Sequence, residues 1–167
     1  MITEFERLLT DRLRVLGSDH PSTLITRNNL AYWHGKSGDI GGVITEYERL
    51  LTDQLRVLGP DHPDTLTTRN NFANRRGESG DIGGAITEFE RLLTDRLRVL
   101  GSDHPGTLAT RSNLAYWRGE SGDIGGAITE FERLLTDRLR VLGPDHPDTL
   151  IARNNLAYWR DRRQEGS

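Results

Sequence analysis

Five histidines, 25 aspartates and glutamates and 21 arginines, with no cysteine at all, form the chemical inventory of this 167-residue chain. Four of the histidines, His20, His62, His104 and His146, stand in four copies of one phrase, Gly-(Ser/Pro)-Asp-His-Pro, set 42 residues apart. A metal ion needs several donors converging on one point. One histidine per 42 residues spreads them along the molecule instead, so they are expected to serve their loops as helix-start or packing residues. His34 takes a position that holds Arg in the other copies. The run Gly77-Glu78-Ser79-Gly80-Asp81-Ile82-Gly83-Gly84 hints at a phosphate loop. It lacks both the Gly-Lys-Ser/Thr ending and the preceding strand that give such a loop its mechanism. It also recurs at 35–42 and 119–126, which points to a tight interhelical turn whose two glycines after Ile let another backbone come near. No Ser/His/acid set and no carboxylate pair in an apolar setting is evident. The expectation is therefore no enzyme, no cofactor and no metal.

Composition narrows the classes further. The net charge of −3 argues against nucleic acid as a partner. Arg outnumbers Lys 21 to 1, which reads as the codon bias of a GC-rich, bacterial genome. The absence of cysteine excludes disulfides and thiolate sites and makes a reducing cytoplasm the expected compartment. The opening Met1-Ile2-Thr3-Glu4-Phe5-Glu6-Arg7 is acidic and amphipathic, unlike a signal peptide. No apolar run is long enough to span a membrane.

The residues that matter must be positioned by a repeated unit. Ile2-Thr3-Glu4-Phe5-Glu6-Arg7-Leu8-Leu9-Thr10-Asp11 returns at Ile44, Ile86 and Ile128, and residues 44–85 and 86–127 differ at nine of 42 positions. The units are 2–43, 44–85, 86–127 and 128–167, one array that is expected to be a piece of a longer protein. Gln164-Glu165-Gly166-Ser167 departs from the pattern, its Gly-Ser reading as a cloning scar. Within a unit two helices are expected. Asp81 is a good N-cap. After it, Ile82, Ala85, Ile86, Phe89, Leu92, Leu93, Leu97, Val99 and Leu100 share an arc of roughly 160° on a helical wheel. Gly101 stops this helix. His104-Pro105 opens the next, with Pro suited to the first helical position, and Gly119 to Gly122 end it. Calling the long helix B and the shorter one A, the chain reads B-A-B-A-B-A-B-A. Short connections make neighbours antiparallel, and stacking of the pairs buries a thin, continuous core.

Asn-Asn-Leu-Ala at 28–31 and 154–157, Asn-Asn-Phe-Ala at 70–73 and Ser-Asn-Leu-Ala at 112–115 follow each Gly-x-Asp-His-Pro. After the next glycine comes a small residue at 43, 85 and 127, then an aromatic at 47, 89 and 131. This pattern resembles the tetratricopeptide repeat, in the 42-residue variant of kinesin light chain. The resemblance implies an all-α, right-handed superhelical solenoid of about four helix-turn-helix repeats and eight helices. In such a fold the A helices line a concave groove that binds a peptide or partner segment.

On that reading the groove residues are Asn28, Asn29, Tyr32, Asn70, Asn71, Asn74, Arg75, Asn113, Tyr116, Asn154, Asn155 and Tyr158. Asn amides match a peptide backbone because they both donate and accept. Tyr offers contact area with little rotamer entropy to lose. The alternative is that the Asn residues bond within the stack and the rings pack against neighbouring repeats. Where the family often has aromatics, this chain has Arg27, Arg69, Arg111 and Arg153, and again His34, Arg76, Arg118 and Arg160. These lie inside the packing arc of helix A and are expected to pair with carboxylates, since an unpaired buried Arg costs several kcal/mol. They also suggest a mild preference for acidic partners. The second repeat carries Asn74-Arg75 where the others carry Tyr-Trp, which suggests a local basic spot that sets partner register. Two further readings stand beside the protein-binding scaffold. One is end-to-end self-association or domain swapping through unpaired terminal helices. The other is a regulatory sensor arm of a larger signalling NTPase, which rests on family analogy alone.

Overall fold

The computed structural model describes residues 1–38 and 40–165. Gly166 and Ser167 lie outside the described residues. Eight α-helices follow one another: α1 (Ile2–Leu16), α2 (Pro21–Lys36), α3 (Ile40–Val57), α4 (Pro63–Glu78), α5 (Ile82–Leu100), α6 (Pro105–Glu120), α7 (Ile124–Leu142) and α8 (Pro147–Glu165). There is no strand among the described residues. The odd helices are the B helices and the even ones the A helices. Two compact units hold them, α1 to α4 in the first and α5 to α8 in the second, divided between Asp81 and Ile82.

The repeated phrases are the helix boundaries. Each B helix ends before Gly17, Gly59, Gly101 or Gly143, whose φ of 85–87° only glycine takes without strain. The four loop histidines cap the A helices. Nδ1 of His20, His62, His104 and His146 accepts the backbone N–H of Ser22, Asp64, Gly106 and Asp148 at 3.0–3.2 Å. The following proline needs no partner at the first helical position. Asp123 caps α7 through the N–H of Gly126 at 2.9 Å, and Asp81 pairs with Arg76.

Four of the glycines after Ile, Gly41, Gly83, Gly125 and Gly126, do not serve close helix packing. A Cβ on Gly41, Gly83 or Gly125 would meet nothing within 4 Å, and one on Gly126 would strike the capping carboxylate of Asp123. The close approach lies at the far end of the A helices. A Cβ on Gly119 would sit 2.6 Å from the Trp159 ring, and one on Gly35 would sit 2.7 Å from the Arg75 guanidinium.

The core is thin in each unit. In the first, Leu24, Ala31, Val43, Tyr47 and Leu50 are buried together with Phe72 against them. In the second, Leu108, Ala115, Ala127, Ile128, Phe131, Leu134, Leu156 and Trp159 form the cluster. One position shows how stacking works. Leu50, Leu92 and Leu134 are fully buried, while their copy Leu8 on α1 is 38% exposed. No residue of α1 is buried.

Candidate partner-binding face

Within the first unit the A helices α2 and α4 touch, whereas the B helices α1 and α3 do not; α6 and α8 repeat this in the second unit. The A side is therefore the closer-packed side of each unit, and side chains from consecutive A helices share one face there. Tyr32, Tyr116 and Tyr158 all expose a large part of their rings. Each stands edge-on to the tryptophan that follows it, at 5.6, 5.2 and 5.0 Å between centroids. These contacts hold one edge of each tyrosine; Tyr32 also meets Arg75, Tyr116 meets Trp159 and Tyr158 meets Arg162, so that more than a third of each residue faces solvent.

The Asn residues divide. Asn28 is an internal tie, its Oδ1 accepting from Thr68 Oγ1 at 3.2 Å and from Asn71 Nδ2 at 3.3 Å. Asn70, Asn74 and Asn113 are half-buried and engaged in interactions of their own. Asn29 and Asn155 are half-buried and Asn154 is exposed. Ser112, the copy of Asn28, is buried.

Arg75 corrects an expectation. It was placed on the exposed groove as part of a basic spot, yet it is only 4% exposed. It fills the slot that Trp33, Trp117 and Trp159 fill in the other repeats. Its guanidinium rests 5.5 Å from the Tyr32 ring centroid, against Gly35, and pairs with Glu78. The planar guanidinium replaces the indole as a stacking group, so its charge is spent inside the unit. Tyr47, where the other repeats have Phe, lies beneath it. The Tyr47 hydroxyl is buried near Arg75 and Asn71 without a well-formed hydrogen bond, and burial pushes its pKa up.

The expected Arg pairing is present at Arg27, Arg76, Arg111, Arg118 and Arg160, whereas Arg153, expected inside the packing arc, is exposed on α8. Arg27 of α2 bonds Glu46 at 2.9 Å and Asp53 at 2.7 Å on α3. Arg111 repeats the arrangement with Glu130 and Asp137, both at 2.7 Å. Burial works against the charge of Arg27 and of Arg111, but the carboxylate bonds prevail and raise both pKa values. Arg118 meets Glu90 and Arg160 meets Glu132, each at 2.7 Å, while Arg76 turns to Asp81. Two carboxylates on each of Arg27 and Arg111 leave no free positive charge there, so these positions lend nothing to a preference for acidic partners.

Sequence reasoning missed three concavities. Two are copies of one cleft between an A helix and its flanking B helices. The first, about 320 Å³, is lined by Leu9, Leu30, Ala31 and Val43 with Arg27 and Glu46 at its edge. The second, about 240 Å³, is lined by Leu93, Leu114 and Ala115 with Arg111 and Glu130. The third, about 140 Å³, lies on the A-helix face of the first unit, among Ile25, Asn28, Asn29, Gln54, Asp64, Thr67 and Thr68. Its signal was visible in the sequence, since position 54 holds Gln where 12, 96 and 138 hold Arg.

The repeat phrases, the helical pairs and their period are matched by the profile of the tetratricopeptide repeat family over residues 23–64, 65–106 and 107–148. The chain belongs to the tetratricopeptide repeat family. Among solved structures, this tetratricopeptide repeat protein is similar to a candidate kinesin light chain of Podosopora anserina with nearly identical TPR-like repeats. The identity is 24%, over 98% of this chain and 79% of that one, with a TM-score of 0.75. A variant of that protein gives the same identity and coverage with a TM-score of 0.77. BtubC (BKLC) of P. vanneervenii is 20% identical over 93% of this chain, with a TM-score of 0.78; the match spans 62% of BtubC. At these identities the likeness concerns the fold. None of the curated proteins matches. Tetratricopeptide repeats generally mediate protein–protein interaction. No helix among the described residues is long and apolar enough to cross a membrane.

Proposed function

We propose that this chain is a non-enzymatic scaffold whose A-helix face holds an extended peptide or partner segment. The observation that carries the proposal is that each unit by itself presents exposed rings on its A helices, Tyr32 in the first and Tyr116 and Tyr158 in the second, each fixed along one edge by its neighbouring tryptophan. A ring already held in place loses little entropy on binding. Half-buried Asn29 and Asn155 and exposed Asn154 stand near them to meet a peptide backbone. The test is binding to a defined peptide array, with Tyr32→Ala and Tyr116→Ala compared with the parent chain. A loss of about tenfold or more is expected, the scale of one aromatic anchor. Undiminished binding by both variants would remove the tyrosine face from the function.

A second reading concerns the chain by itself. Leu8 of α1 is 38% exposed, and Leu150 of α8 is 42% exposed where its copies Leu66 and Leu108 are 1% exposed. Both are positions that a neighbouring repeat covers elsewhere, so the α1 surface of one copy suits the α8 surface of another. Such a contact is heterologous and grows open assemblies. It predicts a mass in light scattering that rises with concentration, and a concentration-independent monomer would exclude it.

A further inference from the structure

Helix B of three repeats carries an arginine that is tied to the helix after it. Arg12 Nη1 donates to the Ser22 carbonyl at 2.6 Å and to Thr26 Oγ1 at 2.5 Å. Arg96 Nη1 makes the same two bonds, to the Gly106 carbonyl and Thr110 Oγ1, both at 2.7 Å. Arg138 Nη1 reaches the Asp148 carbonyl at 2.6 Å. The carbonyl acceptor lies ten residues on in all three, and for Arg12 and Arg96 a threonine hydroxyl fourteen residues on joins it, in the first turns of the A helix; Arg138 has Ala152 at that second place. In the second repeat the counterparts are the Asp64 carbonyl and Thr68 Oγ1, but the donor position holds Gln54.

The glutamine does not replace the guanidinium. Gln54 is fully buried, and neither its Oε1 nor its Nε2 has a hydrogen-bond partner. A buried amide left in that condition is costly. Thr68, freed of the arginine, turns its hydroxyl to Asn28 at 3.2 Å, whereas Thr26 and Thr110 bond back to their own helices at 2.9 and 3.0 Å. Beside the buried Gln54 lies the 140 Å³ pocket, lined also by Asn28, Asn29, Asp64 and Thr68, with the exposed Ile25 and Thr67 among its lining. Two of the first unit's buried cations are engaged elsewhere: Arg27 with Glu46 and Asp53, and Arg75 with Glu78.

From this vacancy we infer that the pocket takes the guanidinium of an arginine side chain on the bound partner segment, which fills the place that the chain's own arginine fills in the other repeats. The guest donates to the Asp64 carbonyl, to Gln54 Oε1 and to Thr68 Oγ1, opening the long Thr68–Asn28 bond, and its charge faces the Asp64 carboxylate. Five N–H donors in a planar fork suit this set of oxygens, which offers no comparable geometry to a point charge. The inference rests on the reading of the A-helix face as a peptide-binding surface, and it gives that peptide a basic residue at one register.

The test uses the intact chain and N-acetyl-arginine-N-methylamide as the probe, followed by NMR on the Gln54 side-chain amide and the Asn28 and Thr68 backbone. Saturable shifts at all three are expected, with the neutral citrulline analogue weaker by about tenfold, the scale of a charge-assisted hydrogen bond. Gln54→Arg restores the residue of the other repeats. It should abolish the saturable shifts at Asn28 and Thr68 and raise Tm. Asp64→Asn, checked for unchanged circular dichroism, should weaken the probe by a similar factor. Absent shifts in the parent chain, equal binding of citrulline, or undiminished binding by Gln54→Arg would each overturn the inference. These outcomes are separable from the tyrosine test: peptide binding lost in Tyr32→Ala with no probe response in the parent leaves the face intact and removes the arginine pocket.

Discussion

At the scale of single residues, repetition makes the differences between copies informative. The tryptophan slot is occupied by Trp159 over Gly119 in one unit and by Arg75 over Gly35 in the other, and both glycines are there because a methyl group would collide. Gly125, in the first turn of α7, has open space where its side chain would be. Gly119→Ala is therefore expected to destabilise the chain by about 1–3 kcal/mol through overpacking. Gly125→Ala should stabilise it by up to about 1 kcal/mol through helix propensity and a less free unfolded chain. Urea unfolding of the two variants checks both signs, and equal effects would show that Trp159 does not press on Gly119. The histidines belong to the same scale. Their repetition argued against a metal, and the structure gives the positive role: an imidazole Nδ1 lone pair that accepts the third orphan N–H of each A helix.

At the scale of helices, the B helices have nearly the same sequence but different energetic weights. Leu8 and Leu134 occupy equivalent positions, yet the first is half in water and the second is sealed. Leu134→Ala should cost about 2–5 kcal/mol, the range for a core leucine with a cavity left behind. Leu8→Ala should cost well under half of that, since little apolar area is removed from cover. Thermal and chemical denaturation of the pair measures the ratio. A similar loss for both would mean that α1 is covered in solution, as end-to-end association requires. The helix boundaries were legible residue by residue. Pro after His and Gly after the last Leu act through local backbone geometry, and local geometry needs no neighbours.

At the scale of the molecule, loop carboxylates fasten one helical pair to the next within each unit. Asp19 takes both Nη atoms of Arg56 at 2.7 and 2.8 Å, and Asp103 takes those of Arg140 at 2.7 and 2.9 Å. The hydrogen bonds from Arg56 and Arg140 hold both carboxyls below the ordinary aspartate value. A lowered folded-state pKa contributes stability above the unfolded value and loses it as pH falls through the folded one. The parent chain should accordingly lose urea resistance in the window that opens at the ordinary aspartate value, about pH 4, and runs downward from it. The Asp19→Asn/Asp103→Asn double variant should start lower at neutral pH and vary less across that window. Parallel pH profiles for the two chains would show that the exposed bridges carry nothing, the usual fate of surface pairs.

The sequence by itself determined the period, the eight helices, their caps and the need for carboxylates beside Arg27 and Arg111, because each of these follows from local propensity or from a charge that burial must neutralise. It also gave the A helices of both units a tyrosine that the structure leaves partly exposed. Only the tertiary structure decided that Arg75 is inside and its basic spot absent, that close packing occurs at Gly35 and Gly119, and that Gln54 leaves a polar pocket unfilled. These depend on residues about 20 to 40 positions apart meeting across stacked helices. A helical wheel orders the residues of one helix, but which wheel position faces water is set by the helices that pack against it.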